Sequence, residues 1–208
     1  MQHLDRARVN RLADRASYDR AIVDPILDEA RVAHVGVVVD GAPVVLPYAC
    51  ARVGDELILH GSVRAGALGA IADGAAVCAT VTHLDGLVVA HSAFHSSMNY
   101  RAVVIHGRAR HVVDRDEKLR LLDALVDRLL PGWRGALRPI TDGELEATLV
   151  VALALELFSA KIRSGGPKEP DADVRRDVWA GVVPLRLVAG IPEATAAIAP
   201  GVPAPSYR

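Results

Sequence analysis

The chain has 208 residues, enough for one domain with a sizeable core, and 51% of them are hydrophobic. Charged residues make up 24% and the formal net charge is −1, so no strong electrostatic field favours nucleic acid or an acidic partner. Residues 1–20 are too charged for a signal sequence, and the longest apolar run, residues 147–154, is too short to cross a membrane. We therefore expect a cytoplasmic protein that binds neither nucleic acid nor membrane.

The N-terminal third of the chain predicts an antiparallel meander. Residues 1–16 form a charged arm, and Asp24-Pro25 has the chemistry of a helix start, with an end near Ala30. Three strand patterns follow, separated by turns at Asp40-Gly41 and Gly54-Asp55, and they lie at residues 33–39, 44–49 and 56–59. This spacing leaves no room for crossover helices, so we expect these strands to pair antiparallel.

The rest of the chain adds two helices and longer strands. An Ala-rich helix is expected between residues 62 and 73, and the clearest helix runs from Asp114 to Leu130, where leucines form an apolar stripe. Strands are predicted at residues 75–81, 87–90, 100–113 and 148–162, with a turn at Asp85-Gly86 between the first two. Thr141 and Glu144 have the spacing of a capping box.

These elements predict an α+β protein, mainly β, in which six or seven antiparallel strands close into a small barrel rather than a sandwich. We assign residues 1–16 to the charged arm, 17–188 to the barrel domain and 189–208 to an Ala/Pro-rich tail. Cys50 and Cys78 lie in separate apolar strands, and we expect both thiols to stay reduced.

The segment LHGSVRAGAL, residues 59–68, is the first candidate binding site. A predicted strand ends at His60, and Gly61 lets the chain turn into the Ala-rich helix. Free N–H groups at a helix start favour a phosphate, to which Ser62 can add a hydroxyl and Arg64 a charge-assisted fork. Alternatively, Ser62 only caps the helix and Arg64 is solvated. On this stretch alone that alternative is favoured.

A second candidate is the polar stretch before the long strand, with Ser92, His95, Ser97 and Tyr100. Three nearby histidines have no acidic or thiol partner at ligand spacing, so the pattern does not predict a zinc site. Neither a nucleophile elbow nor a dinucleotide or P-loop motif occurs in the sequence.

The third candidate stretch is residues 159–185. Lys161 and Arg163 alternate and so share one face of the last predicted strand. Trp179 follows in an otherwise apolar segment. Taken separately, these residues can have purely structural roles. Together with Arg64, Lys161 and Arg163 can supply the positive charges for one anionic ligand.

LHGSVRAGAL, followed by the SMNYRAVVIHGRA strand and the helix that contains EK, resembles a known family. The family is the FMN-binding split β-barrel proteins related to pyridoxamine 5′-phosphate oxidase, in the flavin-nucleotide-binding branch that includes the nitroimidazole-resistance proteins. The resemblance covers about residues 17–187. It implies a six-stranded antiparallel Greek-key split barrel with flanking helices, a homodimer, and FMN in a groove between the subunits.

The same resemblance implies roles for single residues. Ser62 and Arg64 would hold the phosphate, and the isoalloxazine ring would lie along the strand that ends at Pro47 and Tyr48. The wider set of expected cofactor contacts is His60, Gly61, Ser92, Tyr100, Arg101, Lys161 and Trp179, with Tyr100 and Arg101 near the dimer seam. Two departures, Ala102 and the incomplete Arg186-Leu187 signature, argue against pyridoxamine phosphate as the substrate.

The function these observations predict is that of an FMN-dependent oxidoreductase acting on a small molecule of unknown identity. We nominate no catalytic acid or base and no metal site, because the flavin would carry the redox chemistry. One alternative is a haem-binding or haem-degrading split barrel, which the eight histidines would suit. The others are a non-catalytic flavin-binding protein and a deazaflavin-dependent reductase of the same fold.

Overall fold

Nine strands dominate the structure, a computed structural model that describes residues 6–175, 177–199 and 201–204. The strands are β1 Ala16–Ser17, β2 Val32–Val39, β3 Ala42–Val53, β4 Glu56–Ser62, β5 Ala76–Val89, β6 Ser97–His111, β7 Thr148–Ala154, β8 Leu157–Arg163 and β9 Gly181–Pro184. The main helices are α1 Arg20–Glu29, α2 Gly66–Ala72, α3 Arg115–Leu129 and α4 Asp142–Glu146. None of the described helices is long and apolar enough to cross a membrane.

Six of the strands close into a ring. Their order is β2-β3-β4-β7-β6-β5, β5 pairs again with β2, and every pairing is antiparallel. The ring divides at β6. One edge of β6 pairs with β5, while the other pairs first with β8, over Tyr100–His106, and then with β7, over Ala109–His111. The predicted split barrel is therefore confirmed.

Side chains of the barrel strands alternate between the interior and the outer face. Leu57 and Leu59 of β4 belong to the interior cluster, to which α1 and α2 also contribute. Ile58 points the other way and packs in a second cluster with Leu121 and Leu125 of α3. The helix α3 thus covers the outer face of β4, and every second β4 residue lies beneath it.

The start of α1 differs from the prediction. Asp19, not Asp24, is the N-cap, because its carboxylate accepts the backbone N–H of Ala21 at 2.9 Å. Asp24 pairs instead with Arg20, at 2.6 Å, and Pro25 lies inside the helix.

β5 is one strand where the sequence predicted two separated by a turn. It pairs with β6 almost throughout, with a register shift between Leu84 and Gly86. Asp85 therefore lies in a β-bulge rather than a hairpin turn. Because β6 begins at Ser97, it is long enough to pair with both halves of β5.

The predicted strand 148–162 is two strands, β7 and β8, joined at Leu155 and Glu156. Because Leu155 in this turn is apolar and buried, the turn barely interrupts the apolar pattern, and the sequence predicts one strand across it. β1, at the end of the N-terminal arm, pairs with β8. The strand β9, which was not predicted, pairs with β5. Residues 1–5 of the arm and residues 200 and 205–208 of the tail lie outside the described residues.

Candidate functional site

The turn between β4 and α2 presents the residues expected to bind a phosphate. The β4 strand extends to Ser62, and the exposed Ser62 and Arg64 follow Gly61. The backbone N–H of Arg64 donates to Ser62 Oγ at 3.2 Å, and that of Ala65 donates to Ser62 O at 2.9 Å. Ser62 keeps its hydroxyl proton for a ligand. No ion pair of Arg64 occurs within the described ranges.

Tyr48 lies next to this turn. Its half-buried ring is close to Gly61: a Cβ on Gly61 would lie 3.9 Å from Tyr48 Cε1 and only 2.9 Å from Leu68 Cδ2. A side chain at position 61 would therefore clash with the Leu68 side chain of α2. The Tyr48 hydroxyl is buried without a hydrogen-bond partner in the described part of the chain, and burial raises its pKa. This orphaned hydroxyl and the free groups of Ser62 and Arg64 fit a polar ligand at the end of β4.

Pro47 of β3 and His60 of β4 point to the opposite side of the sheet from their neighbours Tyr48 and Gly61. Pro47 is exposed and stands opposite His34 of β2. His60 has the orientation of Ile58, so it points outward beneath α3 rather than toward Tyr48. The expectation that β4 ends at His60 was wrong, and the strand continues for two more residues.

Arg101 is held in ion pairs. Its guanidinium donates to both carboxylate oxygens of Asp85, at 2.8 and 3.0 Å, and to both of Glu29, at 2.5 and 3.0 Å. These hydrogen bonds raise the pKa of Arg101 and lower that of Glu29. Two carboxylates neutralise the cation, and through them Arg101 ties α1 to β5 and β6. No pattern in the sequence indicated Glu29 or the role of Asp85.

The remaining expected contacts lie elsewhere on the molecule. Tyr100 is half-buried on β6, and Lys161 of β8 donates from Nζ to the carbonyl oxygen of Arg11 at 2.9 Å. Ser92 Oγ lies 2.8 Å from His95 Nδ1, in the loop between β5 and β6. Trp179 is 62% exposed, and its ring packs over Gly181. None of the hydrogen bonds given above for these residues joins them to the β4–α2 turn.

An uncovered part of the sheet lies on the outer side of β2, β3 and β5. It exposes Val38 and Val45, and His106 of β6 borders it. Two shallow grooves of about 600 and 290 Å³ both contain Arg6 and His106. A larger cavity of about 740 Å³ lies beside the Arg101 ion pairs. Cys50 and Cys78 are free thiols, and burial raises the pKa of Cys50 to about 11.

The closed ring with its divided β6 defines a split β-barrel protein. A family model described as pyridoxamine 5′-phosphate oxidase matches residues 19–162. The chain belongs to this family.

Two solved structures match nearly the whole chain. The FAD and haem binding protein from Mycobacterium smegmatis is 42% identical, with a TM-score of 0.87, and the match covers 92% of this chain and 94% of that one. The flavocytochrome Anf3 from Azotobacter vinelandii is 38% identical, with a TM-score of 0.90 and coverage of 98% and 94%. A structure from Bacteroides thetaiotaomicron, named for 5-nitroimidazole antibiotic resistance, shares the fold at 20% identity, a TM-score of 0.59 and coverage of 71% and 86%. A comparison with curated proteins finds no match.

Proposed function

We propose that this protein binds a flavin nucleotide and uses it for electron transfer. The observation that carries the proposal is the 42% identity, over 92% of the chain, to a protein named for FAD and haem binding. A bound flavin supplies the redox chemistry, and the protein supplies binding, orientation and electrostatics. The residues present fit a binding role, since the orphaned Tyr48 hydroxyl and the β4–α2 turn offer polar groups to a nucleotide.

We propose that Ser62 and Arg64 hold the flavin phosphate. Arg64 offers a charge-assisted donor and Ser62 a neutral one, both on an exposed turn at the end of a rigid strand. FAD is the first candidate because the 42%-identical relative is named for it. FMN, which the sequence resemblance implied, is the second, and both nucleotides carry the phosphate that this turn would bind.

We further propose that the protein is a homodimer with the flavin at the subunit interface. The uncovered sheet face around Val38 and Val45 supports this assembly, because exposed apolar side chains on neighbouring strands gain stability when a second copy covers them. In such a dimer we expect Tyr100, Lys161 and Trp179 to lie nearer to the flavin of the other subunit than to their own β4–α2 turn.

Haem is the second cofactor that the proposal includes. The names of the 42%- and 38%-identical structures support it, because one names haem and the other names a flavocytochrome. The eight histidines of the sequence suit this second cofactor as well. A protein with both groups would pass electrons between flavin and haem.

Cofactor extraction tests the proposal. The purified protein should show flavin absorption bands, and acid extraction followed by chromatography against FAD, FMN and riboflavin standards should identify the nucleotide. Reduced nicotinamide under anaerobic conditions should then bleach the flavin bands. A protein that neither retains nor takes up any flavin would contradict the proposal, and one that binds flavin but is never reduced would be a flavin-binding protein without catalysis.

A further inference from the structure

We propose that the groove where β6 changes partner strand binds a small organic dianion, such as a phosphate monoester, at a site separate from the flavin turn. The groove has a volume of about 600 Å³, within the range of roughly 300–1,000 Å³ typical of ligand sites. Three basic side chains line it, those of Arg6, His106 and Arg108. Apolar side chains complete much of the wall and can contact a carbon skeleton: Ala76, Val77, Ala154 and Leu157. The proposed site goes beyond the flavin function and is independent of it.

The strand pairing explains why an opening lies here. β6 pairs with β8 as far as His106 and with β7 from Ala109 onward. In the described part of the chain, Gly107 and Arg108 pair only with β5. A Cβ on Gly107 would lie 2.9 Å from Leu153 Cδ1, so the glycine lets β7 approach β6 closely where the sheet divides. The groove is therefore a consequence of the barrel's own pairing.

Positive charge collects in this groove without ion pairing. Within the described ranges, neither Arg6 nor Arg108 forms an ion pair. Arg110, two positions further along the same face of β6, instead pairs with two glutamates, at 2.7 and 2.6 Å. The guanidinium of Arg108 is held by the uncharged carbonyl oxygen of Gly74. Two guanidinium groups without carboxylate partners can thus donate charge-assisted hydrogen bonds to one anion.

The ring of His106 can add a third donor. Within the described residues it forms no hydrogen bond, in contrast to the rings of three other histidines. Burial, and to a smaller extent the positive charge of Arg6, lower the pKa of His106, so the free ring is neutral at pH 7. The other titratable side chains of this groove and the adjoining one are Arg6, Cys78, Arg108 and Glu156. A bound anion favours the protonated ring, so binding should be coupled to proton uptake by His106.

The charged N-terminal arm brings Arg6 to the groove. The end of the arm pairs with β8, where Ala16 lies opposite Lys161. Lys161 also donates from Nζ to the carbonyl oxygen of Arg11 at 2.9 Å. Nearer the start of the arm, Ala7 is buried, which fixes the position of its neighbour Arg6. The arm, to which flavin binding gives no role, thereby supplies one of the basic groups.

The groove and the flavin turn lie at opposite ends of β4. Ala154, which lines the groove, pairs with Glu56 at the start of the strand, whereas Thr148 pairs with Ser62 at its end. Six residues of a strand span roughly 20 Å, too far for one phosphate to contact both sites. Within one subunit, an anion in the groove is therefore a different ligand group from the flavin phosphate at Ser62.

The test is isothermal titration of the full-length protein with phenyl phosphate, with inorganic phosphate as the comparison, both with and without saturating FAD. Phenyl phosphate should bind more tightly than inorganic phosphate, because its ring contacts the apolar wall. Arg6→Ala and Arg108→Ala should each weaken phenyl phosphate binding by about tenfold, the lower end for a charge-assisted contact, because both side chains are exposed. Arg8→Ala, an exposed arginine of the same arm outside the groove lining, should stay within about twofold of wild type.

Two further variants separate the roles of charge and shape. Glu156→Gln removes a carboxylate from the lining and should strengthen binding by up to about fivefold. Ala76→Trp fills the groove at an exposed position while keeping the three basic side chains, and it should weaken binding. The ratio of wild-type to His106→Gln affinity should rise as the pH falls from about 7.5 to 6.5, since protonation of the ligand itself cancels in this ratio.

Circular dichroism of each variant should match that of wild type. If phenyl phosphate binds no more tightly than inorganic phosphate, or if Arg8→Ala weakens it as much as Arg6→Ala, the groove attracts ions only through general positive charge and the proposal is wrong. If saturating FAD abolishes binding of phenyl phosphate, the groove belongs to the flavin site and a separate site is excluded. If wild type binds no phenyl phosphate, the proposal fails, while flavin extraction still decides the flavin function.

Discussion

Nδ1 of His91 lies 2.7 Å from Oε1 of Glu169, and the two side chains are only 9% and 7% exposed. Glu169 also accepts the backbone N–H of His91 at 2.8 Å, and Nε2 of the ring lies 3.1 Å from the carbonyl oxygen of Val178. A neutral imidazole can donate only one of the two ring bonds, whereas the protonated ring donates both. The charged pair therefore links Glu169 and Val178 to the loop after β5, next to Trp179.

This pair predicts a pH dependence of stability. The hydrogen bond to Glu169 raises the pKa of His91. Burial opposes ionisation of Glu169, but the hydrogen bonds from His91 outweigh it and lower the pKa of that carboxyl. The His91 contribution is fully present below the ordinary histidine pKa of about 6.5 and is lost as pH rises through the raised folded value. The Glu169 contribution is present above its ordinary pKa of about 4.3 and is lost as pH falls through the lowered one.

We therefore expect His91→Gln to destabilise the protein most between about pH 4.5 and 6.5, and less at alkaline pH, where wild type has lost the charged pair. Urea unfolding at a series of pH values measures this difference. His34→Gln, an exposed histidine, is the control and should change little at any pH. A His91→Gln effect that stays constant from acid to alkaline pH would show that the charge of the pair does not matter.

A second prediction concerns the phosphate turn. Arg64→Ala should weaken binding of the flavin nucleotide by about tenfold to a hundredfold, because a charge-assisted contact contributes roughly 1.5–3 kcal/mol. Ser62→Ala should cost on the order of 1 kcal/mol, since a neutral donor is lost and the backbone donors remain. Arg120→Ala, on the exposed side of α3, is a control for loss of charge.

Riboflavin, which lacks the phosphate, should bind all of these variants as it binds wild type. Titrations of each variant with FAD, FMN and riboflavin provide the comparison. If Arg64→Ala weakens riboflavin as much as the nucleotides, Arg64 acts through the fold and the turn does not bind the phosphate.

Local patterns predicted several elements correctly because their cause lies in neighbouring residues. The Asp40-Gly41 turn has positive φ at both positions, 50° and 78°, as a two-residue hairpin of this type requires. The capping box of Thr141 and Glu144 forms as expected, and Asp114 caps α3. Closure of the barrel depends on pairing between strands that are distant in sequence. Local patterns do not distinguish a closed barrel from a sandwich with certainty, and the family resemblance supplied that distinction.

The long-range ion pairs were harder to predict than the β4–α2 turn, because they join positions that are distant in sequence. Arg101 and Glu29 are 72 positions apart, and His91 and Glu169 are 78 apart. No spacing in the sequence indicates that these carboxylates meet those cations. The outward orientation of His60 could have been inferred from strand alternation with Leu57 and Leu59, but only once β4 was known to continue to Ser62.

Arg101 supplies a third prediction, which tests whether it is structural or binds the cofactor. Arg101→Met should lower the free energy of unfolding by about 1–2 kcal/mol, because charged hydrogen bonds are lost at a position that is about a third exposed. Flavin affinity should stay within about twofold of wild type, a change of roughly 0.4 kcal/mol. Urea unfolding and flavin titration measure the two quantities. If the variant has normal stability but no longer binds flavin, Arg101 is a cofactor-binding residue.

The last prediction concerns assembly. Light scattering should give about twice the chain mass of 22.1 kDa at micromolar concentration. Val45, which is 64% exposed on the uncovered sheet face, should lie in the interface, so Val45→Lys should shift the protein toward monomer because a charge is buried without a partner. Val113→Lys changes an equally apolar and 77% exposed residue away from that face and should leave the dimer intact. A wild-type mass near 22.1 kDa, or dissociation by Val113→Lys but not by Val45→Lys, would contradict the proposed interface.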